Sequence, residues 1–301
     1  MNSSATARFH NSPEEAEELS AIGERLLRAA DAVDILPTPL DQLYAAARVR
    51  AYDLDLDAPH GSLRGFLERA GGALRRVLQK VRGITDLRER VVYIPQGDTK
   101  PRERFVRAHE LSHNVIPWQR FEDEHIDETR DLTAGARRIF DQEANYLAAE
   151  FLFQGERFKE RARSYAASMN ATVKLARLHG TSHQATLWKY AEVQDERVVV
   201  AMYYPSKYNG NLERWKAVPS PAFRRRFPDM RVPEILFAGH PWRAAIDLRQ
   251  DLDGEIILSC GSDGEAEFRW EARWNGYALF ILLRRMPQLA GIGRLIRGIA
   301  D

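Results

Sequence analysis

Apolar residues recur at helical spacing through the first two thirds of the chain and at strand spacing through the last. Leu19, Ile22, Leu26 and Leu27 share one face of a segment that opens with Ser12-Pro13-Glu14-Glu15. A hydroxyl, a proline and a glutamate three residues after the hydroxyl form a helix start, so a helix is predicted from there to about Ala32. Thr38-Pro39-Leu40-Asp41 repeats that start for a short helix through Ala47. Val49–Leu54 and Val91–Ile94 read as strands. The second is placed as an edge that an extended peptide can join by strand addition. Between them Ser62–Val81 is amphipathic, apolar through Leu63, Phe66, Leu67, Leu74, Val77 and Leu78, and basic on its other side. Two further helices are predicted, one from near Pro101 to the stop at Pro117 and one over Arg137–Phe153. Pro117–Ala134 between them is polar.

After Arg197 the period changes. Val198–Tyr204, Glu255–Ser259, Glu267–Arg273 and Tyr277–Leu283 read as strands, the last two joined by an Asn275-Gly276 hairpin turn. Ser206–Pro233 reads as loop with a short helix near Phe223, and Pro241–Ile246 as another short helix. Leu289–Ile299 reads as a closing helix. Thr172–Tyr190 predicts two short helices meeting at Gly180, a helix-turn-helix pattern. Residues 161–195 hold five Lys/Arg against two acids. That mild excess favours a hairpin that packs on its neighbours over a reader of DNA.

The chemistry concentrates in Arg104–His113, which contains His-Glu-x-x-His. His109 and His113 stand one helical turn apart and can reach a single tetrahedral ion. Glu110 can serve as base for a water held there. Phe105, Ala108, Leu111, Val115 and Ile116 supply a packing face that would hold the ligands rigid. The plain alternative is a surface helix that carries two histidines. In the following helix Ala144, Leu147, Ala148, Phe151 and Leu152 recur at helical spacing, with Glu143 at the edge that turns inward. A carboxylate entering a core needs a partner, and a metal suffices, so Glu143 is read as the third ligand. Its alternative is an exposed helix glutamate, the role assigned to Glu150. Tyr146 is a candidate oxyanion donor. His125 lies in an acidic loop, and His179 and His183 straddle a glycine turn; none is taken as a ligand. Asp53, Asp55 and Asp57 lack the spacing of a calcium loop and read as strand-edge acids.

Arg104-Phe105 leading into His-Glu-Leu-Ser-His, followed by Gln142-Glu-Ala-Asn-Tyr-Leu-Ala-Ala-Glu-Phe-Leu152, resembles the ImmA/IrrE family of bacterial metallopeptidases. The resemblance spans roughly Leu36 to Val193. It departs at Leu147, at Ser112 and at Phe153-Gln154, where members carry an aromatic, a glycine and Met-Pro. The resemblance implies His109, His113 and Glu143 as metal ligands and Glu110 as the catalytic base. It also implies Zn2+, with Mn2+ as the rival ion, and cleavage of a helix-turn-helix repressor that de-represses stress-response or mobile-element genes. The expected fold is α+β: a mainly helical zincin-like peptidase domain over 13–160 behind a disordered tail, 1–12. A helix-turn-helix-like subdomain follows over 161–195, then an antiparallel α+β, GAF-like sensory or docking domain over 196–301.

Composition narrows the setting. The chain has 301 residues, 44% of them hydrophobic, and a net charge of +1, so no global field selects nucleic acid or membrane. One cysteine, Cys260, leaves no internal disulfide and suits the cytoplasm. The rival reading is a transcription regulator, or one partner of a toxin–antitoxin pair, that keeps the peptidase fold as a scaffold and binds DNA through Thr172–Tyr190.

Overall fold

The computed structural model describes residues 12–54, 84–95, 99–119 and 134–285. The N-terminal tail up to Asn11, the Ser62–Val81 stretch, Asp55, Asp57, the loop bearing His125 and the Leu289–Ile299 helix lie outside the described residues. The fold is α+β, and it divides into two compact units. The first takes residues up to Phe158 together with Ala176–Ser182. The second takes Lys159–Leu175 and the chain from His183 onward. Among the described residues no helix is long and apolar enough to cross a membrane.

In the first unit α1 (Pro13–Ala29) starts as the sequence predicts. The Ser12 hydroxyl accepts from the Glu15 N–H, and the Glu15 carboxylate accepts from the Ser12 N–H. α2 (Leu40–Ala47) forms too, but Thr38 does not cap it. The Thr38 side chain is fully buried, and its hydroxyl donates to the carbonyl of Phe151 instead. The next elements are β1 (Arg50–Leu54), β2 (Ile84–Asp86), β3 (Val91–Pro95), α3 (Lys100–Val115) and α4 (Ala134–Phe153). β3 runs parallel to β1 and antiparallel to β2, which makes it the central strand of three. The edge role expected of β3 is therefore excluded: both of its hydrogen-bonding sides are taken. Leu19, Leu43, Val92, Ala108, Leu111, Leu147, Ala148 and Phe151 are fully buried in one core that joins α1, α2, α3, α4 and the sheet. Glu150 is also buried, against expectation, because its Cβ lies on the path of α1 at Gly23.

α4 ends at Gln154, which takes a left-handed conformation with φ 58°. Its amide accepts from the Asp34 N–H and donates to Ala32, Ile35 and the Thr38 hydroxyl. The residue that departs from the expected Met-Pro thus ties down the loop between α1 and α2.

The chain continues through α5 (Glu156–Arg163), α6 (Met169–His179) and α7 (His183–Val193). The predicted meeting of α6 and α7 at Gly180 is observed, with φ +63° there. A Cβ at Gly180 would lie 2.9 Å from Arg104 Nε, so only glycine fits. In the second unit the sheet contains β4 (Val198–Pro205), β5 (Leu212–Pro219), β6 (Ile235–Leu236), β7 (Leu252–Ser259), β8 (Glu265–Trp274) and β9 (Leu279–Arg285). Its order is β6-β5-β4-β9-β8-β7, antiparallel throughout. β5 occupies part of the segment read as loop. Its charged Glu213, Arg214 and Lys216 hide the alternation, and a register shift against β4, where Met202 pairs with Lys216 and Tyr203 with Arg214 and Trp215 is skipped, breaks it further. Short helices do form at α8 (Pro221–Arg226) and α9 (Ala244–Asp247). One sheet face packs on Phe223, Phe227 and the fully buried Trp242. α7 packs on β4 and β5 and buries Thr186, Leu187, Tyr190 and Ala191.

Candidate metal centre

α3 carries the His-Glu-x-x-His motif because its apolar face is pinned. Val106, Ala108 and Leu111 are buried, while Phe105 and Val115 pack at the edge of the same core. The helix stops at Val115, and Ile116 turns extended with ψ 112° ahead of Pro117. One turn separates His109 from His113, and their rings meet edge to face with centroids 4.7 Å apart. The two Nε2 atoms lie 3.2 Å from each other. With Zn–N bonds of about 2.0–2.1 Å, a tetrahedral site has an N···N edge of about 3.3 Å. The imidazole pair therefore already has the separation of two ligands on one ion.

Two acids on α4 approach this pair differently. Asp141 Oδ1 is 3.8 Å from His113 Nε2. His109, His113 and Asp141 each offer an atom within 4.8 Å of the others, which makes them the group among the described residues able to hold a metal ion. Asp141 is exposed, so a small rotation can shorten its approach. Glu143 is buried, and its Oε2 accepts from Trp118 Nε1 at 2.9 Å and from Gln119 Nε2 at 2.6 Å. Gln119 Oε1 in turn stands 2.7 Å from His113 Nδ1. Glu143 thus reaches the histidine through an amide.

Glu110 turns away from the solvent, 7% exposed. Burial pushes its carboxyl above the usual carboxylate range. The Thr85 hydroxyl and the charge of His113 oppose that rise, and Asp141 adds to it. The Thr85 hydroxyl donates to Oε2 at 2.6 Å, so β2 fixes one oxygen of the candidate base and leaves the other for a substrate or water. Tyr146 does not serve as an oxyanion donor here; its hydroxyl is engaged with Ser20 Oγ at 2.9 Å. His179 is fully buried, with Nδ1 3.0 Å from the carbonyl of Leu152.

Sequence reasoning missed Thr85, Trp118, Gln119 and Asp141. Thr85 lies in a three-residue strand, and Trp118 and Gln119 in a short helical stretch after Pro117, segments too short to carry a periodic signal. Asp141 was open to detection. It sits two residues before Glu143, about 200° round the helix.

Residues 39–189 match the peptidase family described as the IrrE N-terminal-like domain. No curated protein sequence matches the chain. Its fold is similar to that of a solved structure described as a Mycobacterium tuberculosis transcriptional regulator. The two are 14% identical with a TM-score of 0.51, over 89% of this chain and 76% of the other. The family match takes in half of the chain, including both metal-site helices, and the chain belongs to the family of IrrE N-terminal-like domains.

Proposed function

We propose that this protein is a zinc-dependent endopeptidase that cuts a protein substrate at a specific site, with a helix-turn-helix transcriptional repressor as its target. The observation that carries the reading is the 3.2 Å approach of the His109 and His113 Nε2 atoms beside a buried, hydroxyl-anchored Glu110. His109 and His113 would hold the ion. The third position falls to an acid of α4: Glu143, whose Oε2 is held by Trp118 and Gln119 while Oε1 is left for the ion, with Asp141 beside the histidines as the alternative. A zinc ion there would polarise a scissile carbonyl and make a water a stronger acid. Glu110, its carboxyl pushed up by burial, would accept the proton of the attacking water and pass it to the leaving amine. Mn2+ is the alternative ion.

The second unit fits a sensory or docking role of GAF-like type, and repressor cleavage would release stress-response or mobile-element genes in the cytoplasm. The rival reading, a DNA-binding regulator, finds support in the name of the structural neighbour. Against it, α7 spends Thr186, Leu187, Tyr190 and Ala191 on β4 and β5, which leaves little of that helix to enter a groove. The test is incubation of zinc-loaded protein with a helix-turn-helix repressor encoded beside it, followed by mass analysis. Discrete fragments that a chelator suppresses are expected. An intact repressor together with a salt-dependent, sequence-selective gel shift would move the assignment to DNA binding.

A further inference from the structure

Resting on the docking role given to the second unit, we propose that the free edge of β7 takes an extended, basic segment of a partner protein, which joins the sheet as an added strand. Among the described residues β7 ends the six-stranded sheet, and β8 is the strand that pairs with it. The strand at the other end, β6, is two residues long. β7 is eight residues long, contains no proline and keeps an unbroken register along β8. Folds commonly blunt an edge with a bulge, a proline or a very short strand, because its outward N–H and C=O groups pair readily with another chain. β7 has none of these three devices.

The two faces of β7 select the strand that fits. On the core face Leu252, Ile256 and Leu258 are half-buried against the apolar core of the unit. Gly254 stands between them, and the indole of Trp270 reaches over it, with Nε1 3.1 Å from the place a Cβ would take. Trp270 is 6% exposed, and among the described residues its Nε1 has no hydrogen-bond partner. A buried donor left unpaired over an edge strand calls for an acceptor, and an added strand supplies an oxygen there. On the other face Ile257 is 63% exposed, with Glu255, Glu265 and Glu267 exposed around it. Arg269 beside them already binds Asp253 at 2.7 Å. Further along the sheet the same face is closed: Val200, Met202, Phe280 and Leu282 are buried, and α7 packs on β4. The open end is therefore acidic with an apolar centre. A strand that alternates apolar residues with Lys or Arg matches both faces. Its apolar side chains extend the core beside Leu252, Ile256 and Leu258, and its cations meet the acids while their stems cover Ile257. A second copy of the chain fits worse. Edge to edge, it would crowd Asp253 and Glu255 of both chains on one face, and like charges across a strand pair are destabilising.

The test uses full-length protein and a short synthetic peptide in which valine alternates with lysine or arginine. The expected result is slower hydrogen exchange across Leu252–Ser259, a shifted Trp270 indole N–H resonance, and binding that weakens with salt. The same peptide with proline in place of valine, or with glutamate in place of its cations, should not bind. Ile257→Lys and Glu255→Lys change exposed side chains and leave the core intact, and each should weaken the valine peptide by about fivefold. A proline peptide that binds as well as the valine peptide, or binding that leaves exchange in β7 unchanged, would overturn the added strand and leave unspecific charge attraction. Amides of β7 already protected without peptide would overturn it too: the edge would then belong to a second copy if protection rises with protein concentration, and to the chain itself if it does not. The edge and the peptidase reading fail separately. If the valine peptide does not bind but zinc-loaded protein still cuts the repressor, the docking edge falls alone. If the peptide binds as expected but no repressor is cut, the edge stands and the peptidase reading falls.

Discussion

The two units bury polar groups for different purposes. Ten of the fourteen buried polar or charged side chains among the described residues belong to the first unit, among them the carboxylates Glu110, Glu143 and Glu150. The four in the second unit are Thr172, Thr186, Gln194 and Ser220, and none is a carboxylate. Gln194 donates to the carbonyl of Ala162, and Ser220 caps α8 while donating to the carbonyl of Glu196. Such groups close backbone hydrogen bonds and hold a fold together. Glu110, Gln119 and Glu143 instead converge on one histidine pair. A buried carboxylate costs several kcal/mol unless it is partnered, so a cluster of them marks a place where chemistry outweighs packing economy.

Removal of the base breaks this contrast most sharply. Glu110→Gln keeps the shape of the side chain and its bond from Thr85, but it cannot take a proton. Repressor cleavage should fall by about 100- to 10,000-fold, while zinc content by metal analysis stays unchanged. Cleavage at the wild-type rate would remove Glu110 from the mechanism.

The second unit has its own titrating group, and it behaves oppositely. His183 sits with Nε2 2.8 Å from Thr172 Oγ1 and its ring against Phe280. Burial, with Arg273 nearby, lowers its pKa to about 4 from 6.5. Below 6.5 the unfolded chain binds the proton first. Stability is therefore fully present above 6.5 and drains away as pH falls toward 4, up to about 3 kcal/mol. In His183→Gln, urea titrations should lose that share of the slope across the window. An unchanged slope would show that the histidine is hydrated.

Zinc should separate the units again. A ligand bound only by the folded first unit stabilises it by about 2.7 kcal/mol at a hundredfold excess over Kd. Hydrogen exchange should slow in α3 and α4 and stay unchanged in β8 and β9. Equal protection in both would place the metal elsewhere.

The same contrast explains what the sequence disclosed. The motif helix, its packing residues and the capping box of α1 are local, and a 3.6-residue period makes them readable. The Asn275-Gly276 turn is local as well: Asn275 Oδ1 accepts from the Tyr277 and Ala278 N–H groups. Inward placement drew attention to Glu143, and its burial follows; the exposed Asp141, which shows no such placement, also approaches His113. Thr85 was hidden in a three-residue strand, too short to show a period. β5 and Glu150 fail for a shared reason: long-range partners, a register shift in one case and Gly23 in the other, override local polarity.

The smallest effect is expected at Glu24, a surface charge of the first unit that takes no part in the site. Arg157 grips both of its oxygens at 2.8 and 3.0 Å, and Arg28 adds a bond at 2.7 Å. The Arg157 hydrogen bonds, helped by Arg28 and opposed by burial, hold its pKa down at about 2 against an ordinary 4.5. A depressed carboxylate contributes stability above 4.5, and that contribution disappears as pH falls toward 2. Solvent screens the pair, so Glu24→Gln should cost no more than about 1 kcal/mol at neutral pH, far less than a buried ion pair would. Urea unfolding at neutral pH should separate variant from wild type by that amount, and the gap should close on acidification. A gap that survives at the acid end would mean that Glu24 acts through shape rather than charge, and the distinction between surface and site carboxylates would then have to be drawn on other grounds.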